Sequence, residues 1–262
     1  RVGLHVASYA HLLMEGDEVL GRTVTVPVTW SVEDDLPARG WDAAIESAVE
    51  VLLSIAPARC TCALEVTLHR HTKGRGLGGE VLKLLREDAA ARSLEGVVVP
   101  VRPTGKSSDP RQPMEDYLAG LRAEGRTDPW LGVHESLGGE VAGVAELSMT
   151  ISATFESWKS WTGTDPDEVD GAEMTVDGGR APVLLDRGNR TGTYVEANVW
   201  CKHRLSPPAV SVPEPVGAEI DLRDQTDAGT GDSTATAEID LRDRTGGAPT
   251  EAEADLRDFD SV

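Results

Sequence analysis

The chain has 262 residues, 39% of them hydrophobic and 4% aromatic, which is length enough for one sizeable core. Its formal charge of −20 sets it against nucleic acid, because a phosphate backbone selects surfaces rich in Lys and Arg. No apolar run approaches the ~18 residues of a membrane span and no leader pattern is visible, so a soluble, cytoplasmic protein is expected, with neither nucleic acid nor membrane as partner.

Taken in chain order, Tyr9–Leu13 and Val19–Val28 read as two strands around the turn Glu15-Gly16-Asp17-Glu18. From Trp41 to Ile55 the apolar residues Ala44, Ile45, Ala48, Val49 and Leu52 recur at the spacing of an amphipathic helix. Cys60–Leu68 is a third strand. Strict alternation places Cys60, Cys62, Leu64, Val66 and Leu68 on one face and Thr61, Ala63, Glu65 and Thr67 on the other. Three cysteines (Cys60, Cys62 and Cys201) make no disulfide framework and read as buried thiols. Gly76–Arg92 is the clearest helix, with Leu77, Val81, Leu84 and Leu85 inward, and Val97–Val101 is a short apolar strand.

Asp128-Pro129-Trp130 opens another helix, with Asp as cap and Pro at the first position, and Gly138-Gly139 stops it. Strands are expected again at 147–155, 181–186 and 193–200, with a short turn or helix at 157–162 between them. Strand, helix and strand followed by further strands define an α/β (α+β) domain over residues 1–205. After Leu205 the composition changes to Pro-rich linker and then to Asp, Glu, Gly, Thr and Ala. Fourteen carboxylates there face four arginines, which puts half the net charge on about a fifth of the chain. So few bulky apolar residues cannot offset ordering entropy, and residues 206–262 are expected to be a disordered acidic tail. Within it Ala218-Glu219-Ile220-Asp221-Leu222-Arg223-Asp224 recurs at 237–243, and a shorter copy starts at Ala254. These islands have the form of linear motifs for a protein partner.

Between the third strand and its helix lies His71-Thr72-Lys73-Gly74-Arg75-Gly76. Glycines let backbone approach an anion, and a helix N-terminus presents free N–H groups, so this turn suits phosphate or pyrophosphate. A dinucleotide fold would also use Gly74-x-Gly76-x-x-Gly79, with Glu95 near the right distance. Glu95 instead precedes the next strand, and no series of βα units follows. No His/Cys/Asp/Glu spacing suggests a metal.

The glycine turn, its flanking strand and helix, Val97–Val101 and the helix end Val133-His134-Glu135-Ser136-Leu137-Gly138 together resemble the GCN5-related N-acetyltransferase (GNAT) superfamily. Val101-Arg102-Pro103-Thr104, Pro113-Met114-Glu115, Asp128-Pro129-Trp130-Leu131 and Tyr194-Val195-Glu196-x-Asn198-Val199-Trp200 are similar to a poorly characterised actinobacterial branch of it. The resemblance covers residues 8–204. It implies a GNAT-like mixed central sheet flanked by helices, with the family's first strand and accompanying helices missing. It also implies that acetyl-CoA, or another acyl-CoA, lies between the splayed strands 60–68 and 97–101. Val66 and Leu68 would pair with the pantetheine, and His71, Lys73, Gly74, Arg75, Gly76 and Gly78 would hold the pyrophosphate. His71 stands where the family has Gln or Arg, and His134 where it has a general-acid Tyr.

Acyl transfer from a thioester to an amine needs a neutral nucleophile and a proton for the leaving thiolate. Glu65 is the candidate base, acting through water, and His134 the candidate acid; Trp41 and Trp130 are candidate pocket walls. The expected function is acyl-CoA-dependent N-acylation of an unidentified amine. The alternative is a non-catalytic GNAT-like interaction protein that presents the tail repeats to a partner.

Overall fold

β-Branched and apolar residues alternating from Val19 to Val28 set the first hairpin of a mixed sheet. The computed structural model describes residues 9–205 and 259–261, so the repeat islands and the rest of the expected acidic tail lie outside the described residues, while 259–261 of that tail form a strand. β1 (Ala10–Glu15) and β2 (Glu18–Val28) form the hairpin, α1 (Gly40–Leu52) follows, and β3 (Cys60–His69) pairs antiparallel with β2. Next come α2 (Leu77–Ala91), β4 (Gly96–Val101), α3 (Met114–Ala123), α4 (Pro129–Ser136) and β5 (Glu140–Thr154). The chain continues with α5 (Phe155–Thr162), β6 (Glu173–Met174), β7 (Val183–Asp186) and β8 (Thr191–Arg204). Near the C-terminus β9 (Phe259–Ser261) lies antiparallel on Thr67–His69 of β3.

The strand order is β1-β2-β3-β4-β8-β7-β6, with β5 also on β8; β3 and β4 run parallel. One face carries α1, whose Ala44 and Ala48 pack with Val26, Val28, Cys60, Cys62, Val98 and Trp200. The small alanines bring the helix close to the sheet. The other face carries α2, α3 and α4. There Val81, Leu85, Met114, Leu118, Trp130 and Leu131 meet Ala63, Val66, Val97, Val99, Val101 and Val199. Each such side chain contributes about 1.5–3 kcal/mol relative to exposure, which is why the helices hold these faces. All three cysteines are buried free thiols.

Several expected elements differ from the structure. β5 begins at Glu140, well before 147, because register breaks at Val141/Gly143 and Ala145/Met149 destroy its period of two. Phe155 is the first residue of α5, not the end of a strand, since the Thr154 hydroxyl caps that helix by accepting from the Ser157 N–H. α3 has no counterpart in the sequence reading; only Met114 and Leu118 of its ten residues are buried, too few to show a helical period. β8 runs four residues beyond Trp200 with Lys202 and His203 inward, polar residues that disguise it as loop. In α2 the buried set is Val81, Leu82, Leu85 and Ala89, shifted slightly from the expected stripe.

The most consequential difference is inside β3. Thr25 of β2 faces Ala63 while the adjacent Val24 faces Glu65, so Leu64 is an extra residue, a β-bulge. The bulge reverses the alternation. Cys60, Cys62 and Leu64 belong to the α1 face, whereas Val66 and Leu68 join Ala63 on the opposite face. Glu65 follows Leu64 onto the α1 side, where its carboxylate meets Thr67 two residues on.

Candidate active site

β3 and β4 pair only from Cys60–Cys62 to Gly96–Val98. Beyond that point β3 has its bulge, and β4 has Pro100, which cannot donate to a ladder. The strands therefore diverge and leave a cleft of about 40 Å³ lined by Trp41, Leu64, Glu65, Val66, Val101, Arg102 and Met149, among others. A second cavity, about 310 Å³, lies against α3, α4 and Val141 and shares none of these residues. Of the two candidate catalytic residues, Glu65 lines the smaller cleft and His134 lines neither.

At the mouth of the splay, β3 passes through a single 3-10 turn (Arg70–Thr72) into Gly74 and Gly76, with φ of +81° and +73°, and so into α2. A Cβ at either glycine would meet nothing within 4 Å, so both border open space. Gly78 differs: a Cβ there would come within 2.5 Å of the Trp130 ring, so this glycine lets α2 pack on α4. The first-turn N–H groups of α2 point into this cradle, and Lys73, Arg75 and His71 surround it exposed. Arg75 donates to Glu15 at 2.7 Å and His71 lies 3.2 Å from Glu18, both on the β1–β2 hairpin. Such exposed pairs are worth about 0–1 kcal/mol and yield readily to a phosphate.

Inside the cleft the Glu65 carboxylate accepts from Arg22 Nε (2.8 Å) and from the Thr67 hydroxyl (2.7 Å), both on Oε1. Its side chain is one-third exposed. Trp41 Nε1 donates to the Leu64 carbonyl at 3.2 Å, fastening the bulge to the start of α1. The Trp41 N–H in turn donates to Ser148 in the β5 irregularity, whose hydroxyl donates to Asn198.

Arg102, at the end of β4, closes the floor. Its Nε and Nη2 donate to the two oxygens of the fully buried Glu196 at 2.6 and 2.8 Å. Tyr194 and Asn198 also donate to Glu196. Burial pushes the Glu196 carboxyl up, but the Arg102 hydrogen bonds and charge outweigh it and hold the group below its ordinary range. Arg102→Lys replaces a planar fork by a point charge. It is expected to cost about 1–3 kcal/mol of stability, read as a lower urea midpoint at unchanged slope.

His134, the candidate acid, is elsewhere. It is fully buried in α4, edge-on to Trp130, with Nδ1 2.9 Å from His203 Nε2 of β8, and it does not line the cleft. Burial, with His203 beside it, holds His134 down to about 3; burial, with Arg86 nearby, holds His203 down to about 4. Both are neutral at pH 7, so His134 is a core histidine here and not a proton donor to the cleft. Unfolded imidazoles titrate near 6.5, so between pH 6.5 and about 4 the unfolded chain binds more protons and stability rises with pH. Denaturant titrations are expected to lose about 1.4 kcal/mol per imidazole for each pH unit below 6.5. His203→Leu is expected to halve that slope.

Tyr194, Glu196, Asn198, Arg102 and Ser148 were not among the residues the sequence singled out for chemistry. A signal existed: Tyr194-x-Glu196-x-Asn198 places three polar groups on one face, alternating with the apolar Val195, Ala197 and Val199. No group of three or more His, Cys, Asp or Glu residues among the described ones is placed to hold a metal.

No family model matches the chain. The arginine N-acetyltransferase avaD of Aspergillus versicolor is 32% identical over 224 residues, 76% of this chain and 77% of that protein. A mixed sheet opening between two parallel strands above a glycine cradle, together with that identity, places the chain in the GCN5-related N-acetyltransferase superfamily. It is an acetyltransferase of that type and uses acetyl-CoA or another acyl-CoA. Similar solved structures include the GphF GNAT-like decarboxylase in complex with isobutyryl-CoA. It is 17% identical, with a TM-score of 0.47, over 77% of this chain and 82% of that one. The loading GNATL domain of CurA from Lyngbya majuscula is 15% identical, with a TM-score of 0.47, over 76% and 77%. The IAA acetyltransferase from Bacillus cereus ATCC 14579 is 10% identical, with a TM-score of 0.35, over 76% and 83%. No helix among the described residues is long and apolar enough to cross a membrane.

Proposed function

We propose that the chain transfers an acetyl group from acetyl-CoA to an amine of a free cationic amino acid, with Glu65 as the proton-transfer group. The observation that carries this is the splayed cleft, in which Glu65 is the one carboxylate among the lining residues, beside a relative that acetylates arginine. The open cradle at Gly74 and Gly76 fits a pyrophosphate, held by amides of Gly74, Gly76 and Gly78 and by Lys73, Arg75 and His71. Val66 and Leu68 offer backbone groups to the pantetheine. At Leu68 that edge is paired with Asp260 of β9, so the two cannot pair there together. When bound, the cofactor supplies the acyl group as an activated thioester.

Glu65 accepts from Arg22 and Thr67 on Oε1, which leaves Oε2 to take a proton from the acceptor ammonium through one water. That first proton passes on to solvent; the neutral amine then forms the C–N bond as the C–S bond breaks, and with His134 buried elsewhere Glu65 carries the proton shed by the acylated nitrogen to the leaving thiolate. The acidic exterior favours a cationic acceptor by steering. A thermal-shift titration with acetyl-CoA and a coupled thiol-release assay on L-arginine and L-lysine test this. Stabilisation of ~2–3 kcal/mol is expected at a hundredfold excess over Kd. Thiol release that does not depend on any amine would overturn the reading.

A further inference from the structure

The end of β4 gathers three largely buried cations in a protein whose net charge is strongly negative. Arg102, Lys106 and Arg180 converge there with the carboxylates Glu196 and Asp128 and, at the surface beside Lys106, Asp109; of the three cations only Arg102 is appreciably exposed. Glu196 is matched by Arg102. Asp128 is satisfied without any cation: its oxygens accept from the N–H groups of Thr104, Gly105 and Trp130 and from the Tyr117 hydroxyl.

Arg180 donates through Nε only to the Pro103 carbonyl and through Nη1 to Gly178, while its N–H donates to the Tyr194 hydroxyl. Lys106 donates to the carbonyls of Asp109 and Arg180. The side chains of these two cations thus hydrogen-bond to carbonyls, while Asp109, Glu196 and Asp128 act on them through charge. Burial, and for Arg180 the neighbouring Arg102, holds both below their ordinary range, the direction that a bound anion would reverse. The cluster has one way to the cleft, through Arg102, whose Nε and Nη2 are committed to Glu196 and whose Nη1 donates to neither oxygen.

We propose that Arg102, held by Glu196 with Arg180 and Lys106 behind it, binds the α-carboxylate of the acceptor and thereby selects free amino acids over peptides, amides and simple amines. This rests on the amino-acid acceptor reading above. The arrangement is economical. Glu196 fixes the plane of the guanidinium from below through a bidentate pair, so the remaining edge is preorganised for a second carboxylate at little entropic cost. Glu65 and Arg102 line the same small cleft, so an α-amine held near the first and an α-carboxylate held near the second belong to one amino-acid head group.

The test compares L-arginine with L-argininamide and agmatine as acceptors for the full chain, with acetyl-CoA saturating. The amide and the decarboxylated amine keep the guanidinium and the reacting amine and lose only the carboxylate. Wild-type kcat/KM is expected to favour arginine about 10- to 100-fold, the range of one charged hydrogen-bonded contact. Because Arg102 alone cannot be removed without stranding Glu196, the variant is Arg102→Met with Glu196→Gln, which discards both charges together. Its arginine-to-argininamide ratio is expected to fall within threefold of one. The loss should appear in KM for arginine, with KM for argininamide unmoved, a split that a merely structural role would not produce. Equal use of all three acceptors by the wild type overturns the carboxylate site and leaves amino-acid acetylation standing. No turnover of any of them, with acetyl-CoA bound, overturns both. A double variant that still prefers arginine tenfold overturns the assignment to Arg102.

Discussion

Replacing Gly74 and Gly76 together by aspartate is expected to weaken acetyl-CoA binding at least a hundredfold in calorimetry while the domain stays folded. Both residues sit in left-handed backbone, φ +81° and +73°, at the entry to α2. An L side chain there costs roughly 1–2 kcal/mol per position, a few degrees of Tm for a domain of this size. Sterically the fold can accept the change, since neither Cβ would meet an atom within 4 Å. That empty space is what the substitution fills. Two carboxylates would stand where a pyrophosphate approaches the α2 amides, which reverses the sign of the local field. The alanine pair isolates the conformational part and is expected to lose far less affinity. Unchanged Kd in the aspartate pair, with Tm lowered as expected, would place the cofactor elsewhere.

Glu65→Gln is the second. It is expected to lower kcat by two to four orders of magnitude and to leave acetyl-CoA affinity within twofold. Glutamine is nearly isosteric and its amide oxygen can still accept from Arg22 and Thr67, so the bulge at Leu64 and the cleft should survive. What disappears is the group that takes the proton from the ammonium. In the variant the rate should therefore climb with pH toward the amine's own titration, because deprotonation must then occur before binding. A kcat within threefold of wild type would remove Glu65 from the chemistry and turn attention to solvent as the base.

Much of the scaffold was legible along the chain. The alternation of Val24, Val26 and Val28, the helical spacing from Trp41 to Leu52, the wholly apolar Val97–Val101 and the Asp128-Pro129 cap each fold as they read. These are local rules, in which propensity and burial agree within one element. The glycine turn was legible for the same reason, since positive φ beside a helix start calls for glycine whatever surrounds it.

The site itself was only half visible. Glu65 could be named, but the face it occupies was decided by a one-residue register break against β2, and no local pattern announces a bulge. His134 looked like an acid because its place in the helix end suggested one; only the approach of β8 shows that it is enclosed with His203, where desolvation removes its charge. The partnership of Arg102 with Glu196 joins residues 94 apart, and their complementarity exists only once β4 and β8 are side by side. The sequence by itself determined the strongly patterned elements, such as β2, α1, α2 and β4, and the glycine turn, because each depends on neighbours a few residues away. Which face Glu65 occupies, which histidine is enclosed and which arginine is fixed at the cleft floor were decided by tertiary structure, because burial and pairing depend on strands brought together from distant parts of the chain.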